Sequence, residues 1–352
     1  MAKRTGKQAP VNHVPAKRIN LALQGGGSHG AFTWGVLDRL LEDHRIEVEA
    51  MCGTSAGAMN AAVVVSGHSK EGREGARQAL RDFWGRIGEF GKFGPFQRTP
   101  LDRLMGSVGW RLDNSPSFRV LDSLLRVFSP YQLNPLDINP LRQVLETTVD
   151  CDAIRYAAGI ALYICATNVR TGKVKIFSHS DVTIDALLAS AGLPWLFHAV
   201  EIAGEYYWDG GYMGNPALFP ILYETESKDL VIVQINPLRR DEIPQTAREI
   251  ADRIDEISFS GSLMGEMRAI HFVNRLIDGG KLDPSEYKRT NIHLIEAADE
   301  MRELHASSKL NADPELLAYL FDLGRRSAEQ WLTANFERIG VGSSIDVAKK
   351  YL

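Results

Sequence analysis

Two glycine-rich turns about thirty residues apart constrain this 352-residue chain more than any other feature. The first is Gln24-Gly25-Gly26-Gly27-Ser28-His29-Gly30, directly after the apolar run Ile19–Leu23. The second is Gly53-Thr54-Ser55-Ala56-Gly57, directly after Val48–Cys52. After the first turn, Phe32, Val36, Leu37, Leu40 and Leu41 recur at helical spacing. After the second, Ala58 to Val65 is apolar nearly all round, the pattern of a buried helix. Two strand–turn–helix units in succession place both turns at one edge of a parallel sheet, where α/β proteins put their sites.

Gly53-x-Ser55-x-Gly57 fits a nucleophile elbow, in which a serine on a sharp strand-to-helix turn takes up a strained backbone and pushes its hydroxyl out of the sheet. Glycine is needed on either side because a Cβ there would strike the neighbouring strand or helix. The helix that starts after Ser55 aims free N–H groups and its positive dipole end at the hydroxyl. The first turn supplies what such a serine needs next, donors for the oxyanion of a tetrahedral intermediate. Gly25, Gly26 and Gly27 leave their amides unshielded. Two other readings stay open: a tight turn into a helix, and the dinucleotide fingerprint Gly25-x-Gly27-x-x-Gly30. The fingerprint wants an acid at the tip of the second strand. Glu47 and Glu49 are near the right distance, but the strand ends in Met51-Cys52-Gly53.

Far downstream, Tyr206-Tyr207-Trp208 leads into Asp209-Gly210-Gly211. These three motifs, in this order and spacing, resemble the patatin-like phospholipases. The resemblance covers roughly residues 19 to 236, including Ala189-Ser190-Ala191-Gly192-Leu193-Pro194 ahead of the aspartate and Asn215-Pro216 behind it. It implies a serine lipid acyl hydrolase working with a Ser55–Asp209 dyad, no histidine and no cofactor. Gly25, Gly26 and Gly27 are then the oxyanion hole, with Gly30, Gly53, Gly57, Gly210 and Gly211 supporting the motifs. One position departs from the family pattern, which usually has Arg or Lys before the last glycine of the first turn; here it is His29. Backbone oxyanion donors survive that change, whereas a fixed positive charge beside the site does not follow from it. The expected fold is α/β, three layers α/β/α around a central mainly parallel sheet, plus a largely helical C-terminal region.

Aspartate at its ordinary pKa of about 3.9 is a weak base for a serine. The apolar neighbours Tyr206, Tyr207 and Trp208 are expected to desolvate Asp209 and raise that value. The plainer reading is that Asp-Gly-Gly is only a turn. A Ser–Asp–His order would instead use His271 or His293, both of which follow Asp209 and read as packed or surface residues. His179 and His198 lack ligand spacing with any Cys, Asp or Glu, so no metal is expected.

With 40 basic against 44 acidic residues there is no polyanion-binding signal, and no nucleic acid is expected as partner. Three cysteines, Cys52, Cys151 and Cys165, read as reduced thiols of a cytoplasmic protein. Residues 1–18 read as a disordered basic tail without the apolar core of a secretory signal, with contact to an anionic membrane surface left open. Residues 19–236 read as the hydrolase domain and 237–352 as a largely helical region packed on it. Gly88 to about Pro140 interleaves glycine, proline and aromatics, suiting either packing on the sheet or a greasy cover over the site. Helices are expected at Leu101–Gly106, Phe118–Val127, Thr183–Ala191 and Pro314–Phe336, and a polar link at Ser66–Ala76. The expected substrate is a lipid or other acyl ester. A short-chain or polyester esterase, and a non-catalytic scaffold with an idle site, remain as alternatives.

Overall fold

The computed structural model describes residues 16–91, 110, 112, 115–157, 159–304 and 306–352. The helix expected at Leu101–Gly106, and much of the expected cover, lie outside the described residues.

One sheet carries the eight strands found among the described residues. They are β1 (Lys17–Leu23), β2 (Ile46–Thr54), β3 (Ala161–Asn168), β4 (Val174–Ser178), β5 (Val200–Ile202), β6 (Glu205–Asp209), β7 (Asp229–Gln234) and β8 (Asn291–Glu296). Hydrogen-bonded neighbours run β5-β6-β3-β2-β1-β7-β8, and β4 also pairs with β3. Strands β3, β2, β1, β7 and β8 pair in parallel, β4 and β6 run antiparallel to β3, and β5, antiparallel to β6, points the same way as the parallel set. Alternate residues of a strand face opposite sides, and β1 shows two separate cores. Ile19, Leu21 and Leu23 pack with helices α1 (Gly30–Glu42), α2 (Ala56–Gly91) and α6 (Pro314–Asn335). Ala22 packs on the other face with Leu263 and Met267 of α5 (Ala247–Asp278). Both faces are therefore covered, which is why the central strands are apolar on both parities. The expected α/β/α layering holds.

The expected helix at Phe118–Val127 forms as α3 (Pro116–Val127), and the one at Thr183–Ala191 as α4 (Ile184–Ser190). The link expected at Ser66–Ala76 does not form. α2 continues through it and folds back at Glu71 and Gly72, whose φ is 62°. Glycine makes the fold-back tight: a Cβ on Gly67 would lie 2.6 Å from the Gly75 carbonyl. The polar residues there signalled the exposed bend but not its brevity.

The C-terminal region adds β8 to the sheet and lays α6 across α1 through a glycine interlock. A Cβ on Gly35 would fall 2.0 Å from the Phe321 carbonyl, and one on Gly324 2.0 Å from that of Phe32. Trp34 packs on Phe321 with ring centroids 4.2 Å apart. Buried Asp38 on α1 receives Arg77 at 2.9 Å and also pairs with Arg325 of α6. The helix that follows the first glycine turn is thus held by the end of the chain.

Candidate active site

The site follows from how β3 shares its edges. Residues 161–165 of β3 pair with Ala50–Thr54 of β2, and residues 166–168 pair with Tyr207–Asp209 of β6. β4 overlaps both sets, so it occupies the opposite edge. β2 and antiparallel β6 therefore lie on one edge and meet head to head. Thr54 stands opposite Cys165 and Asp209 opposite Ala166. Ser55, the residue after Thr54, is brought to Asp209 by backbone register alone.

Ser55 has φ 53°, the strained left-handed conformation that the elbow demands. Its flanking glycines are needed as expected: a Cβ on Gly53 would lie 2.5 Å from Gly57, and one on Gly57 2.2 Å from the Leu23 carbonyl of β1. The Ser55 amide donates to Ser190 Oγ at 2.9 Å, and Ser190 donates in turn to the Cys165 carbonyl at 2.6 Å. Ser190 terminates α4 and is fully buried, so it fixes the elbow to β3. A lone serine at the end of an apolar helix was the available sequence signal.

Asp209 is fully buried. Burial pushes its pKa up to about 7, against the pull of the Gly211 amide, the Ser55 hydroxyl and the charge of Lys309. The Gly211 amide donates to Oδ1 at 2.7 Å, while Oδ2 has no partner of good hydrogen-bond geometry. Gly210 and Gly211 allow this approach. A Cβ on Gly210 would lie 2.2 Å from the Cys165 carbonyl, and one on Gly211 2.1 Å from the Phe259 ring of α5.

The loop beyond Asp209 is stitched to both glycine turns. Thr54 Oγ1 donates to the Gly214 carbonyl at 2.5 Å, and the Gly25 amide donates to Asn215 Oδ1 at 2.6 Å. Gln24 reaches across to β7, accepting the Ile235 and Asn236 amides at 3.0 Å each. These contacts correct one expectation. The Gly25 amide, counted among the oxyanion donors, is already taken by Asn215. The Gly25 carbonyl is likewise held, by Asn236 at 2.8 Å. Gly25 serves instead by its missing side chain, since a Cβ would lie 2.7 Å from Ser55 Cβ. That leaves Gly26 and Gly27 as the amides of the turn available to a ligand. Gly27 has φ 57° and abuts the carbonyl of Lys309. Gly30 packs on Ala56 and Trp84, where a Cβ would lie 2.7 Å from Ala56 Cβ.

Among the described residues no histidine is hydrogen-bonded to Ser55. His293 is buried against Asp229 at 2.9 Å, at the other end of β7 and β8. His271 lies half-buried on α5. His198 faces the Pro130 carbonyl, and His29 pairs with Ser308 at 2.7 Å. The acids of the dinucleotide reading are also committed: Glu49 accepts the Glu226 and Ser227 amides at 2.8 and 2.7 Å, and Glu47 pairs with Arg18. Among the described residues no cluster of His, Cys, Asp or Glu is placed to hold a metal ion. Likewise no described helix is long and apolar enough to cross a membrane.

Fold and site define an α/β protein with a serine elbow, a buried aspartate and a glycine turn at the C-terminal edge of its sheet. The chain belongs to the patatin-like phospholipase family, whose profile matches residues 21–222, more than half of its length. That membership supports lipase or phospholipase activity in general. Solved structures similar to it include VipD from Legionella pneumophila, with 15% identity and a TM-score of 0.43 over 91% of this chain and 67% of that one. Another is the ExoU–SpcU heterodimer of the Pseudomonas aeruginosa type III secretion system, with 15% identity and a TM-score of 0.40 over 96% of this chain and 58% of that one. The chain thus spans about two thirds or less of the matched chains. No curated protein matches the sequence.

Proposed function

We propose that the protein is a serine lipid acyl hydrolase that cleaves carboxylic esters through a Ser55–Asp209 dyad and an acyl-enzyme. The observation that carries this reading is a fully buried carboxylate with a pKa of about 7 at the tip of the strand that meets the Ser55 elbow. A base poised near neutral pH takes a proton most effectively. Asp209 draws the proton from Ser55 Oγ, which attacks the acyl carbonyl. The amides of Gly26 and Gly27 receive the oxyanion. Asp209 returns the proton to the departing alcohol, then takes one from the water that attacks the acyl-enzyme and passes it to Ser55 Oγ as the fatty acid leaves. No cofactor enters.

The catalytic unit in this reading is residues 19–236, with 237–352 packed on it. Phospholipids at a membrane surface are the proposed substrates, reached by peripheral contact. Supporting this are the exposed Ile250, Ile254 and Ile257 of α5, the helix whose Phe259 rests on Gly211. The test is a fluorophosphonate probe with peptide mapping, alongside fatty-acid release from a lipid panel by wild type, Ser55→Ala and Asp209→Asn. Label on Ser55 and loss of release in both variants are expected. Full activity in Asp209→Asn excludes the dyad.

A further inference from the structure

The first glycine turn is closed by a segment from the far end of the chain. Residues Ala306–Leu310 form a short 3₁₀ helix over Gly27–His29. Lys309 occupies the place a side chain on Gly27 would fill: its carbonyl lies 2.2 Å, and its Cβ 3.5 Å, from that Cβ position. Ser308, next to it, holds His29 Nε2 at 2.7 Å. His29 is buried, and burial together with the charges of Lys309 and Arg240 lowers its pKa to about 3. The ring is therefore neutral at physiological pH and brings no charge to the turn.

Lys309 is half-buried and burial lowers its pKa, and among the described residues its ammonium has neither a hydrogen bond nor an ion pair. The charged groups around it are Glu256, Asp252 and Asp255 of α5, together with Arg240. Glu256 is engaged by Arg240 at 2.7 Å and Arg253 at 3.1 Å, and Asp252 and Asp255 have interactions of their own. The free cation acts both on His29 and on Asp209. Amides alone carry partial positive charge, whereas a protonated ammonium beside a developing oxyanion adds a charge of its own.

We infer that Lys309, delivered by the C-terminal region, is the positive charge of this site and stabilises the negative charge that forms on the acyl oxygen at Gly26 and Gly27. The inference rests on the Ser55–Asp209 reading. It also makes Lys309 one of the groups that keep Asp209 ionised, which gives a readout that packing alone would not move.

The experiment compares wild type, Lys309→Met and Lys309→Arg on a soluble p-nitrophenyl acyl ester across pH 5 to 9, with fluorophosphonate labelling of Ser55 in each. Lys309→Met is expected to lose roughly tenfold or more in kcat/KM. Its acid limb should move to higher pH, because the cation that favours ionised Asp209 is gone. Lys309→Arg should retain most activity and the wild-type limb. Lys309→Gln provides the same readouts if the Met variant does not fold. An unmoved acid limb in the neutral variants, or an Arg variant as weak as Met, overturns the inference. Failure of the underlying reading shows differently, as a wild-type protein whose Ser55 takes no label.

Discussion

The two walls of the candidate site are built in contrasting ways. One wall is sheet: β2 and β6 meet on the edge of β3, and Ser55 and Asp209 are placed by main-chain pairing at Cys165 and Ala166. The other wall is a 3₁₀ turn laid over Gly27, whose contacts include the Lys309 carbonyl against Gly27, the His29–Ser308 bond and the Leu112 amide on Ser307. Strand register fixes position to a fraction of an ångström but offers little choice of side chain. A laid-on turn is looser, yet it can bring a charged group to a place where the sheet presents only glycine amides. The comparison teaches that the proposed reacting pair and its electrostatic surroundings can be specified by separate parts of one chain.

The strongest challenge to this division is at the sheet wall. Ser55→Ala and Asp209→Asn should each lower lipid hydrolysis by roughly 10³-fold or more without loss of fold, measured as fatty-acid release beside circular dichroism. Gly57→Ala forces a Cβ to within 2.2 Å of the Leu23 carbonyl. It should destabilise by about 3 kcal/mol or prevent folding, as read by thermal melting.

Next in size is the pH dependence of Asp209. Activity should climb as pH rises through about 7, since the base must be ionised. Stability should run the opposite way. With a folded pKa of about 7 above the model value of 3.8, the folded form keeps its proton longer than the unfolded chain. The stabilising contribution is complete below about pH 4 and is lost as pH rises to about 7. Asp209→Asn should therefore exceed wild type in stability at pH 8 by on the order of 3 kcal/mol, an advantage that shrinks on acidification. Melting curves from pH 4 to 8 check this.

Asn215→Ala removes the acceptor of the buried Gly25 amide. A cost of about 1–3 kcal/mol and a lower kcat are expected from chemical denaturation and kinetics. At the laid-on wall, Ser308→Ala should cost about 1 kcal/mol and change kcat/KM within about threefold, because it touches a neutral ring. A larger kinetic effect there than from Asn215→Ala would reverse the ranking of the two walls.

Much of the sheet wall was legible in the sequence because its constraints are local and steric. Glycine at 53, 57 and 210 records close backbone contact and glycine at 211 close contact with the Phe259 ring, and contact of that kind leaves a mark at each position. The central strands are apolar on both parities because helices cover both faces of the sheet. Pairing was not legible: nothing in Glu205–Asp209 says that it shares an edge of β3 with β2, because register is settled by the assembled sheet. Nor did the triple glycine reveal that Asn215 occupies the Gly25 amide. The polar stretch Ser307-Ser308-Lys309 looks like any surface turn, and nothing in its residues marks its contact with Gly27, which is far off in the chain. The fold-back at Gly72 was mistaken for a link because a bend and a linker share a composition.

The carbonyl of residue 309 resting on residue 27 has a consequence during synthesis. A ribosome that has released the elbow and the aspartate has yet to make the piece that seats the first glycine bend. In the proposed reading, competence therefore waits for residues 306–310, and a polypeptide cut short before them would carry Ser55 and Asp209 without the segment that closes the turn.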